Sequence, residues 1–234
     1  MNDFLIKYYS LLTHSVEILS AVTGVILYKK YKHTPAKYFI YFLIYIGICD
    51  FLGIYTYYIK NNGFLSFLEG TPFERNYWWS GLYWKVGAVV FFAFYYNKIL
   101  QNTKFKSIIE YTAYTFLLFS ICYIIINFDA FFISSLRVLN IFGALIIFLC
   151  TFLYFTEILL SDRILKVFKS LNFYISVTIF IWWLVITPLV FFEIYNSTSD
   201  WNFVFLKWQI FLFLNIFMYI TFTFALICCK PQND

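Results

Sequence analysis

A chain of 234 residues that is 62% hydrophobic, 26% aromatic and only 12% charged falls far below the roughly 25% charged share of an ordinary soluble domain. Lipid is therefore its solvent, and because each bilayer span takes about 20 residues, a separate soluble domain is not expected. The formal charge of +5 sits in short links between apolar runs, where it orients helices, so no nucleic-acid partner is implied.

The chain reads as one all-α, polytopic domain covering 1–234. Seven apolar segments predict seven transmembrane helices: about Leu5 to Tyr28, Tyr38 to Ile59, Tyr77 to Tyr96, Ile108 to Phe128, Phe131 to Leu160, Leu171 to Phe192 and Phe203 to Cys229. The N-terminal stretch MNDFLIKYYS has neither a basic n-region nor a small-residue cleavage site, so the first span is expected to be retained. Between the second and third segments, Asn61 to Asn76 forms a loop punctuated by Gly63, Gly70 and Pro72. Its apolar patch Phe64 to Leu68 could lie on the membrane surface or lid a cavity. Phe128-Asp129-Ala130 is expected to join the fourth and fifth helices as a tight hairpin.

Orientation follows from the positive links. Lys29, Lys30, Lys32 and Lys37, then Lys98, Lys104 and Lys106, then Arg163, Lys166 and Lys169, and finally Lys230 fall on one side. The other side has only Lys7, Lys60 and Arg75 outside the spans, beside Glu69, Glu74, Asp129 and Asp200. Lys and Arg are retained in the cytoplasm, so the N-terminus is expected outside and the C-terminus inside. Tyr77, Trp78, Trp79 and Trp201 fit an outer aromatic belt. Asn196-Ser197-Thr198 matches a glycosylation sequon on that side.

Ionisable residues within the spans carry the most information, because a charge at bilayer depth costs at least about 2.5 to 3.5 kcal/mol on insertion scales. Glu17 and Asp50 lie near the middle of the first and second helices. Ser10, His14, Glu17, Ala21 and Gly24 form a polar and small stripe on the first, and Gly47, Asp50 and Gly53 a similar face on the second. Lys85, Arg137 and Lys207 fall in the outer halves of their helices, Asn140 lies one turn from Arg137, and Asn215 is deeper. With Trp84, Trp182, Trp183 and Trp208 as walls, these residues predict an outward-opening cavity with acids at its floor and cations at its mouth. His14, Glu17, Asp50, Lys85, Arg137, Asn140 and Asn215 are the candidate ligand or proton site. Snorkelling of Lys207 and plain helix–helix packing by the carboxylates and indoles are the competing readings. Glu110 and Glu157, near the cytoplasmic ends, carry little information. Five cysteines without a CxxC spacing and only two histidines give no reason to expect disulfides or a metal site.

Seven helices with an outside N-terminus resemble the topology of seven-helix receptors and microbial rhodopsins. Lys207, the lysine of the last segment, lies near its outer end and Asn215 occupies its centre, so no retinal and no other cofactor is expected. The stretch Glu17, Ala21, Gly24, Tyr28-Lys29-Lys30, Thr34-Pro35, Asp50 and Gly53 resembles uncharacterised seven-helix inner-membrane proteins of Bacteroidetes. That resemblance implies a bacterial inner membrane and brings no activity with it. The leading expectation is a membrane sensor or regulatory subunit, signalling from the cavity through basic cytoplasmic loops to a cytoplasmic or membrane protein partner. A proton- or ion-coupled transporter and a structural subunit of a membrane complex are the alternatives. A lipid-modifying enzyme using His14, Glu17 and Asp50 ranks last, because headgroup chemistry belongs nearer an interface.

Overall fold

The structure, a computed structural model, describes residues 2–59, 63–192 and 201–231. Lys60, Asn61, Asp200 and the sequon at 196–198 lie outside the described residues. Every long element is helical, and no strand occurs among the described residues. We number the long helices α1 (Asn2–Ile26), α2 (Ala36–Gly53), α3, α4 (Thr103–Ile126), α5 (Arg137–Leu159), α6 (Leu171–Phe192) and α7 (Trp201–Cys228). α3 is a composite of three abutting pieces, Tyr77–Ser80, a π-helical Gly81–Ala88 and Val89–Ile99. A 3₁₀ turn, Ile54–Tyr58, extends α2.

Six helices, all but α3, are each long and apolar enough to cross a membrane. Their exposed surface is studded with large apolar side chains, among them Ile26, Phe51, Leu118, Ile126, Leu145, Phe152 and Phe213. An aqueous protein would not leave so much apolar surface uncovered, and with the six helices this makes the chain a multi-pass membrane protein. α1 packs between α2 and α7, α6 between α5 and α7, and α3 against α2, α4 and α5.

Small residues set the closest approaches. A Cβ at Gly143 of α5 would lie 2.9 Å from Val89 Cγ2 and 3.6 Å from the Lys85 carbonyl. Gly143 is thus the place where α3, at the end of its π segment, nests against α5. At Gly81 a Cβ would meet the Phe131 ring at 3.0 Å.

The basic links converge at one end of the bundle. Lys30 Nζ donates to the carbonyls of Leu226 (3.1 Å) and Ile227 (3.0 Å), two of the open carbonyls at the end of α7. Tyr31 Oη donates to Leu226 and Cys229 carbonyls at 2.9 and 3.0 Å, and burial pushes its hydroxyl well above the ordinary tyrosine range. Ser170 bridges to Lys230. Glu157 carries more than its terminal position suggests. Its carboxylate accepts the backbone N–H groups of Gln101 (2.9 Å) and Asn102 (2.9 Å), and it pairs with Arg163. It thereby ties the α3–α4 link to the end of α5.

Two expected boundaries move. The chain turns at Asn127, whose amide donates to the Tyr123 carbonyl at 2.9 Å. A short helix Phe128–Ile133 follows, and extended backbone at Ser134 ends it before α5 starts at Arg137. The expected continuous helix from Phe131 is therefore broken, because hydropathy averaged over a long segment passes over the short Ser134-Ser135 interruption. The described part of the loop after α2, residues 63–76, contributes no residue to the cavity lining. Tyr55 Oη donates to the Phe73 and Arg75 carbonyls (2.7 and 3.2 Å), and Arg75 reaches the Ile133 carbonyl. Phe64 and Phe67 project outward, exposed.

Gly143→Val should cost about 1–3 kcal/mol through overpacking, read as a lower melting temperature of the purified protein in detergent. Glu157→Ala should destabilise by about 1.5–3 kcal/mol for the lost charge-assisted bonds, with faster amide exchange concentrated at Gln101 and Asn102.

Candidate functional site

A cavity of about 660 Å³ is enclosed by α1, α2, α3, α5, α6 and α7. The chain supplies its polar lining in a spread that no single helix could give. α1 contributes Tyr9 and Thr13, α2 Asp50, α3 Tyr83, Trp84 and Lys85, α5 Arg137 and Asn140, α6 Trp182, and α7 Lys207, Trp208, Asn215 and Tyr219. Three consecutive α3 residues reach the cavity because they lie in the π-helical stretch, whose wider turn reduces the angular step between neighbours.

Several contacts fix these side chains. Trp84 and Trp182 meet edge to face with ring centres 5.2 Å apart, and Trp182 Nε1 donates to Asn215 Oδ1 at 3.0 Å. This indole and amide couple α3, α6 and α7. Lys85 donates to the Ser135 hydroxyl, and Tyr83 Oη donates to Asp50 Oδ1. Lys207 Nζ lies 5.9 Å from the Phe211 ring centre, within cation–π range. Trp208 packs on Tyr9 at 6.2 Å. Asn140 is only 3% exposed, yet its Nδ2 has no hydrogen-bond partner among the described residues. An orphaned amide donor lining a cavity is the donor a ligand or an ordered water would satisfy.

Of the residues singled out from sequence, Asp50, Lys85, Arg137, Asn140, Asn215, Trp84, Trp182 and Trp208 line this cavity. Trp183, His14 and Glu17 do not. Adjacent helical residues point about 100° apart, so with Trp182 at the cavity Trp183 turns into the core. It is fully buried there, its edge toward Gly143 of α5. On α1 the inward stripe runs Thr13, Glu17, Ser20 and Gly24, whereas Ser10 is exposed. Tyr9 and Thr13 therefore face the cavity, and His14 and Glu17 lie behind it.

That second layer forms its own polar cluster. His14 Nδ1 is 3.6 Å from Glu17 Oε2, and one donor atom each from His14, Glu17 and Asp50 falls within 4.8 Å of the others. Glu17 is 2% exposed, and its Oε1 has no hydrogen-bond partner among the described residues. Asp50 belongs to both layers, lining the cavity on one side and meeting the cluster on the other.

Sequence reasoning missed Tyr83, Ser135, Tyr9, Thr13 and Tyr219. Tyr83 is one tyrosine among 21, and only the helical pairing of α2 with α3 distinguishes it. Ser134-Ser135 was the most readable missed signal, two adjacent hydroxyls inside an otherwise apolar run.

Compared with known proteins, the chain matches no family model, and neither a curated protein nor a solved structure matches it.

Proposed function

We infer that this chain is a membrane-embedded sensor or regulatory subunit that binds a small ligand in the cavity between α1, α2, α3, α5, α6 and α7. The observation that carries the reading is the cavity itself. Its volume of about 660 Å³ falls in the range of small-molecule sites, and it combines apolar aromatic walls with a few convergent polar groups. Asn140 offers an unused donor, Lys85, Arg137 and Lys207 offer positive charge, and the indoles of Trp84, Trp182 and Trp208 offer flat apolar surface. A ligand that presses on Trp182 acts on three helices at once through Trp84 and Asn215.

In this reading α3 is a seventh span, the N-terminus is outside and the cavity opens outward. The contacts that gather the basic links at one end support that orientation, because clustered Lys and Arg mark a cytoplasmic face. On that face the segment Asp162–Lys169 exposes Leu165 and Phe168 between Arg163, Lys166 and Lys169, a surface for a protein partner. A bacterial inner membrane belongs to the same proposal.

Transport is the second reading, favoured by the Glu17 and Asp50 carboxylates behind the cavity, which could exchange protons. In pH-jump assays with proteoliposomes loaded with a fluorescent pH dye, the sensor reading expects proton flux equal to that of protein-free vesicles. Flux above that background, abolished by Glu17→Gln, would replace the sensor with a transporter. In a bacterial host, a fluorescent protein fused after Asp234 should light up while an alkaline phosphatase fused there stays inactive. The opposite pair of signals would invert the topology.

A further inference from the structure

We propose that His14, Glu17 and Asp50 form a binding site for a divalent cation of the zinc or manganese class, behind the floor of the cavity. The inference goes beyond the cavity's ligand and does not rest on it.

Three observations support it. The donor atoms of the three side chains lie within 4.8 Å of one another. In an equilateral triangle of that edge the centre is about 2.8 Å from each corner, so side-chain shifts of roughly 0.6–0.8 Å would bring each donor to the ~2.0–2.2 Å of zinc–nitrogen and zinc–oxygen bonds. Glu17 is more than nine-tenths buried, and its Oε1, toward the α2 backbone near Gly47, has no hydrogen-bond donor among the described residues while the carboxyls are ionised. Asp50 is oriented by the Tyr83 hydroxyl on its other side, the kind of outer-shell hydrogen bond that positions a carboxylate ligand.

Charge selects the ion. If both carboxylates ionise beside a neutral imidazole they carry a charge of −2, which an apolar bundle does not tolerate, and a divalent cation competes with protons to cancel it. One imidazole nitrogen with two carboxylate oxygens suits zinc, a borderline ion, and its oxygen-rich set also accommodates the harder manganese. Calcium prefers six to eight oxygen ligands, and magnesium holds its water shell. The cluster supplies three ligands, and since Asp50 also lines the cavity, further coordination positions can be reached from that side by water.

Protein purified in detergent, stripped with a chelator and dialysed against buffered Zn²⁺ or Mn²⁺, should retain about one ion per chain by elemental mass spectrometry. Glu17→Gln, Asp50→Asn and His14→Ala should each weaken the site more than about tenfold, and Tyr83→Phe by about tenfold, as outer-shell changes do. His33→Ala, in the basic link, should leave retention unchanged. Wild-type protein that retains neither ion, or a Glu17→Gln protein with normal helical circular dichroism that retains as much as wild type, would overturn the site. Should the variants not fold, Co²⁺ bound to wild type decides. A visible spectrum of nitrogen and oxygen ligation supports the site, and an intense thiolate charge-transfer band or no bound Co²⁺ overturns it.

Discussion

A carboxylate that is 2% exposed in the middle of a membrane helix is the constraint around which the rest of this structure is arranged. Glu17 cannot meet hydrocarbon as an ion without a cost of at least about 2.5 to 3.5 kcal/mol on insertion scales. The fold therefore surrounds it with α2 and the polar groups of α1 itself. His14 approaches one oxygen, and Gly47 leaves room for the other, since a Cβ there would sit 3.8 Å from Oε1. Asp50, three residues past Gly47, faces the same space and is held by Tyr83 from α3. Three helices are thus registered against one another by polar groups, in a solvent where apolar contact alone discriminates poorly between helix faces.

The cavity follows from that registration. Polar contacts pin α1, α2 and α3 near Glu17, while Gly143 lets α5 close on the far end of the π segment. Lys85, Arg137 and Lys207 line the cavity together with the indole rings of Trp84, Trp182 and Trp208. An α-helical α3 would spread Tyr83, Trp84 and Lys85 over a wider arc than the π segment does. The π geometry makes one helix supply a hydroxyl to Asp50, a ring to Trp182 and a cation to Ser135 from consecutive positions.

How far the sequence reveals this depends on which physical signal each feature carries. Six membrane helices are legible because hydropathy integrates over some twenty residues and tolerates boundary errors. Asp50, Arg137, Asn140 and Asn215 stand out as polar residues in apolar runs, and the structure places all four at the cavity. The π segment leaves no trace, because Gly81–Ala88 is apolar enough to read as either helix type. The break at Ser134 is marked only by the Ser134-Ser135 pair, which the apolar residues on both sides outweigh in hydropathy. Trp182 and Trp183 could not be separated by composition, since only the helix phase decides which one meets the cavity. Ser10 shows the same limit, where a stripe drawn at ideal spacing missed the inward face by one residue.

Asp50 is the hinge between the two polar layers, and this has an energetic consequence. Its carboxylate faces His14 and Glu17 on one side and takes the Tyr83 hydroxyl on the other. Tyr83 lies in the segment that also carries Trp84 and Lys85 into the cavity. If a cation binds between Asp50 and Glu17, the Tyr83 hydroxyl that orients Asp50 supports it, and a ligand that displaced Tyr83 would loosen that hold. Linkage makes these effects equal and reciprocal in free energy. On the proposed reading, occupancy behind the floor and occupancy of the cavity would be coupled through a single carboxylate, without any long chain of intermediates.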